Sequence, residues 1–118
     1  MKSYDWAKTF PAAITVADAQ GIIIEMNEAA AEMHKNSGGF GLIGKNIMGC
    51  HNPGSRAKIR KIMETGSSNI YSITKNGKKQ LVYQAPFHKD GKISGVVEIL
   101  IDLPHELSHY DRDAQRPS

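Results

Sequence analysis

Cysteine occurs once in the chain, at Cys50, so no intrachain disulfide can form and a reducing compartment fits. No run comes near the roughly 18 apolar residues that a membrane-crossing helix needs. The opening segment, MKSYDWAKTF, has no apolar core of the kind a secretory signal carries. Neither sign of charge dominates. Fifteen Lys and Arg against twelve Asp and Glu leave +3, too small a margin to indicate nucleic acid. Walker-type and dinucleotide glycine patterns are missing, and neither Ser72 nor Ser94 sits in a nucleophile elbow. These absences leave a cytoplasmic chain with no membrane contact, no direct nucleic-acid contact and no catalytic constellation, and hence not an enzyme.

What is present fits one globular domain. The chain has 118 residues, 40% of them hydrophobic and 23% charged, enough for a core without metal or disulfide support. Tyr4, Trp6 and Phe10 precede Pro11, which predicts a short leading helix that docks its aromatics on the domain or on a partner chain. Ala12–Ala17 and Ile22–Met26 flank Asp18-Ala19-Gln20-Gly21 and read as a hairpin. Asn27 can cap a helix over Glu28–His34. Residues 36–54 hold six of the eleven glycines and predict a long irregular connection, the first place to look for a site.

A second helix is expected over Ser55–Thr65, stopped by Gly66. Arg56, Lys58, Arg60 and Lys61 form its wet face, with Ile59, Ile62 and Met63 between them. Three strands then follow, around Ile70–Lys75, Leu81–Phe87 and Ile93–Ile101, joined by Asn76-Gly77 and Lys89-Asp90-Gly91. Leu81, Tyr83, Ala85 and Phe87 share one face of the middle strand, and Val82 and Gln84 the other. Glu25 and Glu98 are expected on the outer sheet face or its edges. The fold class is α+β: a five-stranded antiparallel sheet with helices packed on one face. Residues 1–11 form the leading helix, 12–103 the domain, and 104–118 an exit helix or flexible tail.

The joints of this order carry a resemblance. Asp18 and Gly21 precede the second strand, and Asn27-Glu28-Ala29-Ala30 opens the first helix. Leu42-Ile43-Gly44-Lys45 leads to the middle helices, followed by Asn76-Gly77, Pro86–Gly95 and Ile101-Asp102. Over about residues 8–103 the ordered set resembles the PAS sensor domain family. The resemblance implies a pocket between the sheet and the middle helices for a small ligand or cofactor. It also implies a homodimer and a downstream signalling protein or effector domain, with signal transduction and transcription regulation as outputs. No effector lies within this chain, so output is expected through another chain or segment.

Family members bind different groups, so the ligand has to be read from residues. The photoactive flavin subgroup carries Asn-Cys-Arg-Phe where this chain has Gly49-Cys50-His51-Asn52, which speaks against flavin. In the branch of the family with a covalent chromophore, which the Gly44-Lys45-Asn46 segment before Cys50 resembles, the groups that hold the phenolate would fall near Met26 and Ala30, and neither residue can hydrogen-bond it. Haem could be held by His51 or Cys50 as axial ligand. The plainer reading makes His51 a helix-start packing residue and Cys50 a small buried hydrophobe. The ligand-binding reading names Met26, Met48, Tyr71, Tyr83 and Phe87 as the lining of a pocket, with His51 as its polar anchor beside Cys50. Against it stands a ligand-free dimerisation module in which these residues are core.

His105-Glu106-Leu107-Ser108-His109 matches the zinc-protease pattern H-E-x-x-H. Only nine residues follow it, leaving no third ligand or cleft, so no metal site is assigned there.

Overall fold

A computed structural model describes residues 5–47 and 53–114. Met48, Cys50 and His51 lie outside the described residues. The leading helix, α1, spans Trp6–Thr9, and the hairpin strands are β1 (Ala13–Asp18) and β2 (Ile23–Met26). Helix α2 covers Glu28–Met33, two 3-10 turns follow at Lys35–Ser37 and Gly39–Leu42, and α3 runs Pro53–Thr65. Strands β3 (Asn69–Lys75), β4 (Lys78–Lys89) and β5 (Lys92–Asp102) complete one antiparallel sheet, in the order β2-β1-β5-β4-β3. No helix among the described residues is long and apolar enough to cross a membrane.

Local chemistry sets the joints. Asp18 Oδ1 accepts from the backbone N–H of Gln20 and of Ile22, closing the first turn, and Gly21 supplies its φ of 83°. Asn76 and Gly77 both take positive φ, 52° and 76°, as the tight β3–β4 hairpin requires. Gly66, at φ 76°, ends α3 by donating its N–H to the Ile62 carbonyl at 2.8 Å. The carboxamide of Asn27 is buried and fully used. Its Oδ1 accepts from Ala30 N at 3.0 Å, capping α2, and from Ile14 N at 2.9 Å. Its Nδ2 donates to the carbonyls of Ala12 (2.8 Å) and Phe10 (3.3 Å).

Register assigns every strand side chain to a face. On the helix-facing side, Ala13 and Ala17 of β1 pack with Ile23, Met26, Ala30, Leu42 and Ile47. Farther along, Val96 of β5 meets Ile59 and Ile62 of α3. The other face carries Ile14, Val97, Ile99, Tyr83 and Ile70, and α1 lies over its β1 end. Trp6, Ala7 and Lys8 wall an apolar groove of about 540 Å³ there with Ile14, Val16, Val97 and Ile99.

The chain leaves the sheet at Leu103, whose N–H donates to the Lys79 carbonyl at 2.9 Å. The exit helix expected after Pro104 does not form over residues 104–114. This stretch is exposed and finds no surface to pack on, without which so short a helix does not hold. His105 and His109 therefore do not stand one helical turn apart.

Candidate functional site

Two cross-strand rows lie side by side on the helix-facing side of β1, β5, β4 and β3. The first is Ala13, Leu100, Val82 and Tyr71, each opposite the next. The second is polar: Thr15 faces Glu98, Glu98 faces Gln84, and Gln84 faces Asn69. The polar side chains are bonded in one direction. Asn69 Nδ2 donates to Gln84 Oε1 at 2.8 Å, and Gln84 Nε2 donates to Glu98 Oε2 at 2.6 Å. Gln84 is buried, and both of its polar atoms are used within the row.

Above these rows, between the sheet and the end of α2, opens a cavity of about 190 Å³. Val82, Leu100 and Ile73 give it an apolar floor, Met33 and His34 border it from α2, and Tyr71 and Glu98 face it. A neighbouring cleft of about 500 Å³ shares Met33, Lys75, Gln80 and Leu100 with it. Tyr71 carries the electrostatics of the site. Burial pushes its phenol above the ordinary value of 10.0, and the Glu98 carboxylate adds to the rise. Lys58 of α3 holds its ammonium 5.5 Å from the centre of the Tyr71 ring, a cation–π contact tying α3 to β3.

Of the residues named in the sequence as pocket lining, Tyr71 is placed at this cavity. Tyr83 and Phe87 are not: Tyr83 sits opposite Ile70 and Ile99 on the outer face, and Phe87 lies across Gly95 on that side. Met26 is buried among Ala13, Ala17 and Ile23, and borders the groove under α1 rather than the cavity. Met48, Cys50 and His51 fall outside the described residues, so their expected roles are not placed. Glu98 requires a correction, since register puts it on the helix-facing side and not on the outer face. Glu25 sits opposite Val16 on the outer face, where it was expected. Asn69, Gln84, Glu98 and His34 went unnamed as site residues. The signal for the first two was present: a two-residue turn at Asn76-Gly77 puts Lys75 opposite Lys78, and hence Asn69 opposite Gln84.

Comparison with known proteins agrees on the architecture. The Aer2 receptor of Vibrio cholerae, a dual PAS-heme oxygen sensor, superposes with a TM-score of 0.63 at 20% identity, covering 79% of this chain and 95% of that one. VqmA, solved bound to DPO, gives 0.66 at 18% identity, covering 83% of this chain and 55% of that one. A C-terminal domain from Streptococcus mutans gives 0.64 at 22% identity, covering 81% and 78%. This chain spans about half of VqmA, and at these identities the likeness is one of fold. No curated protein matches. A PAS domain family model, however, matches residues 11–104, from the start of β1 to just past the end of β5. With the match reaching across the whole sheet and both packed helices, the chain belongs to the PAS domain family.

Proposed function

We propose that this protein is a sensory module that acts by binding rather than catalysis. It takes a small molecule into the helix-facing cavity and reports occupancy through a second copy of itself and a downstream signalling protein or effector domain. The observation that carries this is the polar row Asn69–Gln84–Glu98, which ends on a cavity with an apolar floor of Val82, Leu100 and Ile73 and polar groups from His34, Tyr71, Lys75 and Gln80 around it. Apolar walls with a few convergent polar groups are the make-up of a ligand site. At about 190 Å³ the cavity lies below the roughly 300–1,000 Å³ of pockets for drug-sized molecules, so the ligand is compact.

The second copy is supported by the outer face, where Ile70, Tyr83, Ile99 and Ile14 make an apolar row across four strands. An antiparallel sheet that faces water presents polar residues there instead. VqmA of Vibrio cholerae, similar in fold, is described as a dimer. That protein also has a target DNA, whereas here we assign no nucleic-acid contact, in keeping with the small charge excess. Occupancy would bias the dimer by shifting a pre-existing equilibrium between packings of the sheet.

The test is a metabolite thermal-shift screen on the wild type and on Val82→Trp, which fills the cavity floor. A compound that raises the melting temperature of the wild type but not of the variant supports the reading. A broad library with no such compound overturns it. A haem reading, with His51 or Cys50 as axial ligand, is decided by the absorbance spectrum after adding hemin. A Soret band lost in His51→Ala would replace the small molecule with haem.

A further inference from the structure

We infer that the cavity selects a compact ligand carrying an N–H donor group of the amine or amidine class, held by the carboxylate of Glu98, and that it rejects carboxylates. The inference rests on the ligand-site reading above and specifies its chemistry.

The argument starts from what Glu98 already has. A carboxylate offers about four acceptor positions, and one is taken by Gln84 Nε2 at 2.6 Å. The Gln84 amide is held in this orientation, because turning it would break the bond from Asn69 and set its oxygen against the carboxylate. The row therefore has a fixed polarity, running from the Asn69 amide N–H through Gln84 to a carboxylate acceptor at the cavity end. Among the described residues the one ion pair is Lys35–Glu32, on the surface, so Glu98 has no cation within salt-bridge distance there. Two basic side chains, His34 and Lys75, line the cavity as well, and neither lies within salt-bridge distance of Glu98. Lys58 sits over the Tyr71 ring, and Lys75 is exposed at the border of the cavity, where water and salt screen it.

Ligand entry expels water from this carboxylate. An apolar or anionic ligand would leave a half-buried negative charge with its remaining lone pairs unmatched, which is strongly unfavourable. A ligand with an N–H fork fills those lone pairs with charge-assisted bonds, among the strongest available to a protein. The apolar floor of Val82, Leu100 and Ile73 takes the rest of the molecule. Tyr71 faces the same cavity with a phenol that stays protonated, adding a neutral O–H rather than a second anion.

Benzamidine and benzoate are near-isosteric probes of opposite charge. Each is titrated into isotope-labelled protein, with backbone amide shifts followed by NMR. A fragment of this size binds with a dissociation constant of about 1 mM. The expected result is that benzamidine moves the amides of Val82, Gln84, Glu98 and Leu100 while benzoate leaves them in place. Glu98→Gln keeps the acceptor for Gln84 and removes the charge, so it should weaken benzamidine at least about tenfold with an otherwise native spectrum. Benzoate shifting those amides as strongly as benzamidine would overturn the ligand class and leave the cavity a ligand site. Neither probe moving them also overturns the inference, and the screen with Val82→Trp then decides the ligand-site reading independently.

Discussion

The ring of Phe87 lies against Gly95 across the β4–β5 ladder, so close that a Cβ on Gly95 would stand 2.5 Å from Phe87 Cε1 and collide with the carbonyl oxygen of Ala17. The ring could rotate away, but the Ala17 carbonyl belongs to the neighbouring strand. Gly95→Ala should therefore push β1 from β5 and lower stability by about 3 kcal/mol. Chemical denaturation measures the loss. Adding Phe87→Leu should recover little of it, because the backbone clash remains; full recovery would mean that the ring alone sets the requirement.

Asn27 is the next most sensitive position outside the apolar core. Asn27→Ala removes a helix cap and leaves the groups it served without partners, an expected loss of about 2–4 kcal/mol. Asn27→Asp keeps the acceptor for Ala30 N and Ile14 N but turns an oxygen toward the carbonyls of Phe10 and Ala12. It should be nearly as damaging at neutral pH. Thermal melts of the two variants side by side would show this, and a fully stable Asp variant would contradict it.

The phenol of Tyr71 gives a pH signature. Its folded pKa is raised above 10.0, first by burial and then by Glu98. The neutral phenol is thus favoured by folding. The associated stability is fully present below the unfolded value and is lost as pH rises through the folded one. Ultraviolet titration of phenolate formation should show Tyr71→Phe removing a component that titrates above 10.0. Glu98→Gln should bring Tyr71 down toward 10.0 without reaching it, since burial is the larger cause. No movement in Glu98→Gln would show that the two groups are not electrostatically coupled.

The outer face makes a prediction about assembly. Ile70 is 55% exposed on the edge strand, opposite Tyr83, which is 38% exposed. Ile70→Lys places a charge in the apolar row with little loss of core packing. Sedimentation should show self-association weakened by roughly tenfold or more, with melting little changed. A dimer of unaltered strength would place the contact elsewhere on the molecule.

The elements were legible in the sequence because each had its own local signal: Asn76-Gly77 for the hairpin, Asn27 for the cap, Gly66 for the helix end. The assignment of faces was not. Hydrophobic alternation along β4 and β5 points Tyr83, Phe87, Val97 and Ile99 toward the expected core, yet these are the outward residues, the more apolar face being turned away from the helices. The helix-facing side of β1 is instead built on the small residues Ala13 and Ala17, which let α2 approach closely. A register shift between Phe87 and His88 adds a second difficulty. Without it, the Lys89–Lys92 pairing at the turn would set Gln84 opposite Val97 rather than Glu98, and the polar row would not exist. The site therefore depends on a one-residue irregularity that no turn signal announces.

The bonds of Asn27 have a mechanical consequence for the two sides of the sheet. One planar amide grips the segment leaving α1, the first residues of β1 and the opening turn of α2. These pieces share a single rigid joint, and none can swing without breaking a bond held by the others. The leading segment over the outer face and the helix bordering the cavity are thus geared together, and a tilt imposed on one is delivered to the other through the backbone.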